Sequence, residues 1–453
     1  LRLPDRLRIA RVLLRHEIRG VLASKALWAM LLVLSPLVGY SFIQAVSLFG
    51  EASKSALEFP ELRRGMTPLD GILVPTLGSL YMAITLLFPF VAIRVVGQDK
   101  QSGAAKLAEQ YPVGMGTLLT VKTLAVGVAW CLAMIPALSA TAIWGVAGGH
   151  THLPELTNLL LGHALYGFAV TGIAFFAAAV ADSVATAAIV ALAFTLGFWV
   201  LDFAAGSSQL DWVQTASRLS LTALLRQFEH GLFGLPQVLE TILLGLSLIV
   251  AAGLWLSCGR RLSRKIGGSL CVAAAAGLLL AASGHAGFYR DFSEDRRNSF
   301  GAAEEAALAR MPQRLIITLN LSPDDSRLKD IETNVLSKLR RQVPGLEVGF
   351  GDAGRVGLFG SSGDQRYGLI IYEYAGKRME SRSSDPREIL SIIHGLADVT
   401  VQSEDATPYP GYPLVADVAW SGYWFYCGFP LLTLIFWRFS RMTPRHDIGK
   451  EKR

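Results

Sequence analysis

The sequence predicts an α-helical polytopic membrane protein that carries a small α/β domain outside the lipid. Three observations predict it. Of 453 residues, 52% are hydrophobic and only 17% charged, a balance too apolar for an ordinary soluble protein. Apolar runs of about 20 residues recur, each long enough to cross about 30 Å of hydrocarbon. One long polar stretch, roughly 287–415, interrupts the series and alternates helical with strand periodicity, as a small α/β domain does.

The first element, over residues 1–25, is a basic entry helix. Leu7, Ile9, Val12, Leu13 and Leu14 lie among Arg6, Arg8, Arg11, Arg15 and Arg19. A basic amphipathic helix of this kind lies in the headgroup layer and turns the chain into the first span. A nucleic-acid arm is the competing view, but the apolar face and Trp28 at the start of the first span favour the membrane surface, and no nucleic-acid partner is expected. The first span follows a basic segment with no convincing small-residue cleavage site, so it is expected to be retained. Leu1 fits either an alternative start codon or a trimmed end.

Eight spans are expected, at 26–47, 76–97, 119–145, 157–180, 184–204, 236–257, 267–286 and 418–437. Pro36, Pro89 and Pro136 each interrupt a span and permit a kink. Orientation follows from Lys and Arg near the span ends. With the N-terminus in the cytoplasm, the entry helix, the 98–122 turn, the 260–265 cluster and the tail with Arg438, Arg441, Arg445, Lys450, Lys452 and Arg453 all fall inside. Both termini are then cytoplasmic and 287–415 is extracytoplasmic. The four cysteines, Cys131, Cys258, Cys271 and Cys427, lie in or beside spans, so neither a disulfide framework nor a Cys-based metal site is expected.

Between the second and third spans lies a polar interruption, 98–122, with Asp99, Lys100, Lys106 and Glu109. Lys100 to Gln110 is rich in good helix formers, Gly103 stands near its start, and Tyr111-Pro112 ends it. A short helix pinned between two spans must lie along the membrane surface. It suits either a solvated connector or a contact with a protein outside the bilayer. Between spans five and six, 205–235 keeps a helical rhythm of Leu and Phe and ends in a turn at Gly231 and Gly234.

These features resemble the ABC type-2 export permeases. In order, Asp99-Lys100, Gly103, Leu107, Pro112-Val113 and Lys122 match that family's segment between spans two and three, with Ala104 where Thr is usual and Gln98 where an acid is common. The resemblance covers 1–265 and implies a six-span permease core at 26–265 with two further spans, the seventh at 266–286 and the eighth with a basic tail at 416–453. It further implies that 98–110 is the coupling helix on which a separate ATPase docks, through Asp99, Lys100, Gly103, Lys106, Leu107 and Glu109. ATP would be bound by that partner, and the permease would pair with a second copy or a paralogue in a bacterial inner membrane. The chain itself has no G-x-x-x-x-G-K-[ST] phosphate cradle and is not expected to be an enzyme.

The polar stretch reads as helix 301–311, strand 314–320, helix 326–342, strand 345–350, a hairpin turning at Ala375-Gly376, helix 386–397 and strand 398–402. Asp291-Phe-Ser-Glu-Asp-Arg-Arg-Asn-Ser299, the strand Leu315–Leu321, the run Leu328–Leu339, and Tyr367-Gly368 with Tyr374-Ala-Gly-Lys377 resemble the extracytoplasmic domain of the auxiliary subunit of gliding-motility-type ABC transporters, where the domain is longer. A periplasmic partner is implied. The 16 basic and 19 acidic residues over 287–415 nearly balance, so a polyanion partner is not expected. The alternative reading is a membrane anchoring or assembly protein whose outer domain binds a partner. A membrane enzyme lacks a supporting constellation.

The remaining candidates read as structural. Gly357–Gly363 is a flexible loop without the lysine of a phosphate cradle. His150 and His152 lack an identifiable third ligand. Glu304-Glu305 and Asp324-Asp325 fit helix-dipole stabilisation. Arg94 can snorkel, Asp202 and Glu240 face water or the outer-loop helices, and His163 is expected to make an interhelical hydrogen bond.

Overall fold

The structure is a computed structural model. It describes residues 3–104, 107, 114–207, 213, 217, 220–257, 259–283, 287–322, 325–343, 345–351, 366–399, 401 and 409–442. The chain divides into two compact units, Leu1–Phe288 with Pro410–Arg453, and Tyr289–Tyr409.

The first unit is helical: α1 (Leu3–Leu22), α2 (Lys25–Glu58), α3 (Val74–Ser102), α4 (Met115–Ala133), α5 (Ile135–Val146), α6 (Leu153–Val180), α7 (Val184–Ser207), α8 (Leu221–Glu229), α9 (Leu235–Leu256) and α10 (Leu262–Ser283). Among the described residues, seven helical stretches are long and apolar enough to cross a membrane, consistent with a helical polytopic protein. The eighth expected span, 418–437, is helical over 422–442 but is not among the seven. Its run of Trp, Tyr and Phe, with Arg438 and Arg441 at the end, is amphipathic in character rather than uniformly aliphatic. It packs against α2, where Ser35 Oγ donates to the Phe425 carbonyl at 2.7 Å.

The prolines act differently from one another. Pro136 stands at the start of α5 and splits the third span at Met134, whereas Pro36 and Pro89 lie inside continuous helices. The α6 helix is the centre of the unit, contacting α3, α7, α8 and α9. At Gly172 and Gly245, α6 and α9 come so close that a Cβ on Gly172 would stand 2.6 Å from the Gly245 carbonyl oxygen. Small residues at such a crossing let two backbones touch where no hydrophobic force separates helix from lipid.

The entry helix α1 turns Ile9, Leu13, Leu14, Glu17, Ile18 and Val21 inward and Arg8, Arg11, Arg15 and Arg19 outward. Leu7 and Val12 are exposed instead of joining the apolar face. Trp28 is buried, not lipid-facing, and its indole N–H donates to the Leu22 carbonyl at 2.6 Å, satisfying one of the orphan acceptors at the end of α1.

The second unit is a four-stranded sheet with helices over it. Strands β1 (Leu315–Leu319), β2 (Leu346–Phe350), β3 (Ile370–Tyr374) and β4 (Lys377–Ser381) lie in the spatial order β2-β1-β3-β4. The β1–β2 pair is parallel and the others antiparallel. Alternating burial in β1 and β3 puts Leu315, Ile317, Leu319, Ile370, Tyr372 and Tyr374 into the core, as a half-buried strand requires. The β3–β4 turn has positive φ at Ala375 (53°) and Gly376 (79°), the type I′ geometry whose twist suits a two-residue hairpin.

The expected helices appear as Ala302–Ala309, Pro386–Leu396 and a run over 326–342 that passes through a π-helical turn at Glu332–Leu336. The expected strand 398–402 does not form at Val399 or residue 401. Asp398 takes φ of 54° and the Val399 N–H returns to the His394 carbonyl, so these residues close the helix end instead of extending. Residues 400 and 402 lie outside the described residues, as does the glycine-rich 357–363 loop.

The domain boundary moves as well. Residues 410–415 belong to the helical unit: Tyr412 N–H donates to the Met66 carbonyl at 3.0 Å and Leu414 N–H to Ser53 Oγ at 2.9 Å. The His150 ring stacks on Tyr412 with centroids 3.6 Å apart.

Candidate functional site

Two places in the helical unit gather polar groups among apolar walls, one at each end of α3. At the C-terminal end, Lys122 near the start of α4 is buried to 2% exposure. Its ammonium donates to Glu17 Oε1 of α1 at 2.7 Å, Asp99 Oδ2 of α3 at 2.5 Å and the Val95 carbonyl at 2.9 Å. Three donors thus meet three acceptors, one on α1 and two on α3, which is the satisfaction a buried ammonium needs. One residue on, Lys100 donates to the Ala179 and Ala181 carbonyls at 2.8 and 2.6 Å, satisfying two acceptors at the C-terminal end of α6. A cavity of about 120 Å³ beside this node is lined by His16, Glu17, Ser24, Arg94, Gln98 and Asp99 among others. With the Gln98 amide oxygen turned toward Arg94, that guanidinium donates to it at 3.0 and 3.2 Å.

This geometry redraws the expected coupling segment. Asp99 and Lys100 belong to the last turn of the long helix α3, not to the start of a separate surface helix. Gly103, with φ of 78°, terminates α3: its left-handed backbone suits the residue just past a helix end. Lys100 therefore holds α6 rather than facing outward. Leu107 is 60% exposed, with its N–H reaching the Gly103 carbonyl at 3.4 Å. Lys106 and Glu109 lie outside the described residues. Glu17 was not legible as a partner, because nothing local links it to a lysine 105 positions away. The signal was its place on the apolar face of an otherwise basic helix.

At the other end of α3, about 27 Å along the axis by helical rise from Asp99 to Tyr81, a cavity of about 720 Å³ opens between α3, α7 and α8. Tyr81 packs edge-on against Tyr166 at 5.0 Å and lies 5.6 Å from Trp199. The Tyr166 hydroxyl bonds Thr85 Oγ1 at 2.6 Å. Asp202 accepts from Arg226 of α8 at 2.8 Å, so it meets the helix within 205–235 as expected. Helix α8 buries Leu221, Leu224, Leu225 and Phe228, and this leaves Arg226 and Glu229, one turn apart, at the cavity. Burial pushes the Glu229 carboxyl above its ordinary value against the pull of Arg226. The sequence signal for these two was the charged edge of a short amphipathic helix.

His163, deeper in α6, faces the Leu159 carbonyl with Nδ1 at 3.0 Å and the Leu77 carbonyl of α3 with Nε2 at 3.3 Å, an interhelical contact as expected.

In the sheet unit the motif residues build structure. The Asp291 carboxylate accepts from the Ser293 N–H and hydroxyl, the Asn298 N–H and amide, and the Ser299 hydroxyl. Lys338 and Arg341 donate to the Ser299 and Asn298 carbonyls of that loop, and burial lowers both their pKa values. Glu304 and Glu305 accept from the Gly301 and Phe300 N–H groups at a helix start. Asp325 caps the next helix through the Arg327 N–H, and binds the Arg327 guanidinium and the Tyr367 hydroxyl.

No family model, curated protein or solved structure matches the chain.

Proposed function

We propose that the chain is the membrane permease subunit of an ABC-type export system, driven by a separate ATPase that docks at the segment following Gly103. The observation that carries this reading is the paired anchoring of the last turn of α3. Asp99 joins it to α1 and α4 through Lys122, and Lys100 joins it to the end of α6. A displacement applied just beyond Gly103 would therefore be felt by four helices together, which is what a two-state element biased from one end requires. The exposed Leu107 offers an apolar contact to the partner at that point. The end carrying Lys122 would face the cytoplasm and the sheet unit the opposite side, with a second permease copy completing the transporter.

The test is co-purification. Leu107→Asp is expected to leave protein level and membrane insertion unchanged while abolishing recovery of the partner ATPase, because the new carboxylate would be desolvated without a partner. Normal recovery and normal substrate-stimulated ATP turnover in that variant would remove the reading. The second reading, an anchoring protein, is favoured by the self-contained core of Tyr289–Tyr409; it predicts no ATP turnover at all.

A further inference from the structure

The cavity between α3, α7 and α8 lies far from the proposed docking segment and takes no part in that coupling. We propose that it is a binding site for a hydrophobic organic cation. Its volume of about 720 Å³ falls in the range of small-molecule sites, which are mostly apolar with a few placed polar groups. Its aromatic wall is Tyr81 and Trp199, whose rings meet at 5.6 Å with a 39° tilt; ring faces of this kind attract cations, most strongly where water is excluded. Phe203 is 83% exposed at its edge and gives an apolar body a way in from the lipid side.

The charges select the sign of the ligand. Among the described residues, two carboxylates, Asp202 and Glu229, line the cavity with one guanidinium, Arg226. That guanidinium is engaged by Asp202 and turned largely to solvent, its side chain 59% exposed, so an anion would find no free partner among the described residues. Glu229 is the last residue of α8, where a negative charge opposes the helix dipole. It is also desolvated. Neither circumstance stabilises the fold. A cation seated between Glu229 and the Tyr81–Trp199 rings would compensate both.

Tetraphenylphosphonium and tetraphenylborate have the same shape and opposite charge, so the pair isolates the electrostatic claim. Full-length protein in a neutral detergent is dialysed against each ion, with empty micelles subtracting simple partition. Saturable binding of tetraphenylphosphonium is expected, and only micelle partition for tetraphenylborate. Glu229→Gln is expected to weaken the cation about tenfold, the scale of one compensated charge, with thermal stability in the absence of ligand unchanged or raised. Trp199→Leu should weaken it similarly; if that variant unfolds, Glu229→Gln decides alone. Equal binding of the two ions, no saturable binding of the cation, or unaltered affinity in Glu229→Gln would each overturn the proposal.

Discussion

Single side chains carry the clearest energetic consequences. Lys122 sits among two carboxylates with its side chain 3% exposed, and Glu17 beside it is 14% exposed. Removing one partner of such a cluster leaves uncompensated buried charge, at a cost of about 3–5 kcal/mol. Lys122→Met should therefore lower the melting temperature in detergent sharply. Adding Glu17→Gln and Asp99→Asn to it should recover much of the loss, because the orphaned charges go with it. A triple variant no more stable than the single one would show that the ion cluster is not what Lys122 contributes.

Asp325 gives a pH signature. Its carboxyl is held down to about 2, chiefly by the Arg327 hydrogen bonds. A group whose folded value lies below its unfolded value stabilises above the unfolded value and stops doing so as pH falls through the folded one. The contribution, on the order of 2 kcal/mol, should be complete above about pH 4 and fade toward pH 2. The unit 289–409, expressed alone, is expected to fold on its own core, and denaturant melts of it against pH are the measurement. Asp325→Asn keeps a good helix cap and should flatten that acid limb; an identical limb in the variant would refute the assignment.

At the level of elements, the α6–α9 crossing is the sharpest test of helix packing. Gly172→Ala would press a methyl against the Gly245 backbone, and overpacking of this kind costs about 1–3 kcal/mol. Gly127 on α4 has open space around the same position. Gly127→Ala should be neutral or slightly stabilising, since alanine is the better helix former. Thermal stability of the two variants side by side checks the prediction, and equal effects would mean the helices do not touch as described.

For the whole molecule the open quantity is orientation. The concentration of Arg and Lys beside one set of span ends predicts that 287–415 and the tail lie on opposite sides of a membrane. Single cysteines at Ser361 and Ser440, in a background lacking the native thiols, are expected to differ in intact spheroplasts: an impermeant thiol reagent should label only Ser361→Cys. Labelling of Ser440→Cys alone would invert the topology.

Much of this organisation was legible in the chain itself. Apolar run length predicted the seven long helices, because a span must bury every backbone polar group within itself and so is written locally. Strand periodicity predicted β1 and β3, and the Ala375-Gly376 pair the β3–β4 hairpin. What the sequence could not determine were contacts between residues distant in the chain. Glu17 meets Lys122 across 105 positions, Asp202 meets Arg226 across 24, and Lys100 reaches Ala179 across 79. Each is set by how whole helices pack, and a side chain's partner across such a gap leaves no local periodic trace. The same reason explains the boundary at Gly103. Local propensity favours a helix from Lys100 onward, but α3 continues through Asp99 and Lys100 because tertiary partners satisfy their charges there. The chain turns only where glycine makes the left-handed backbone inexpensive.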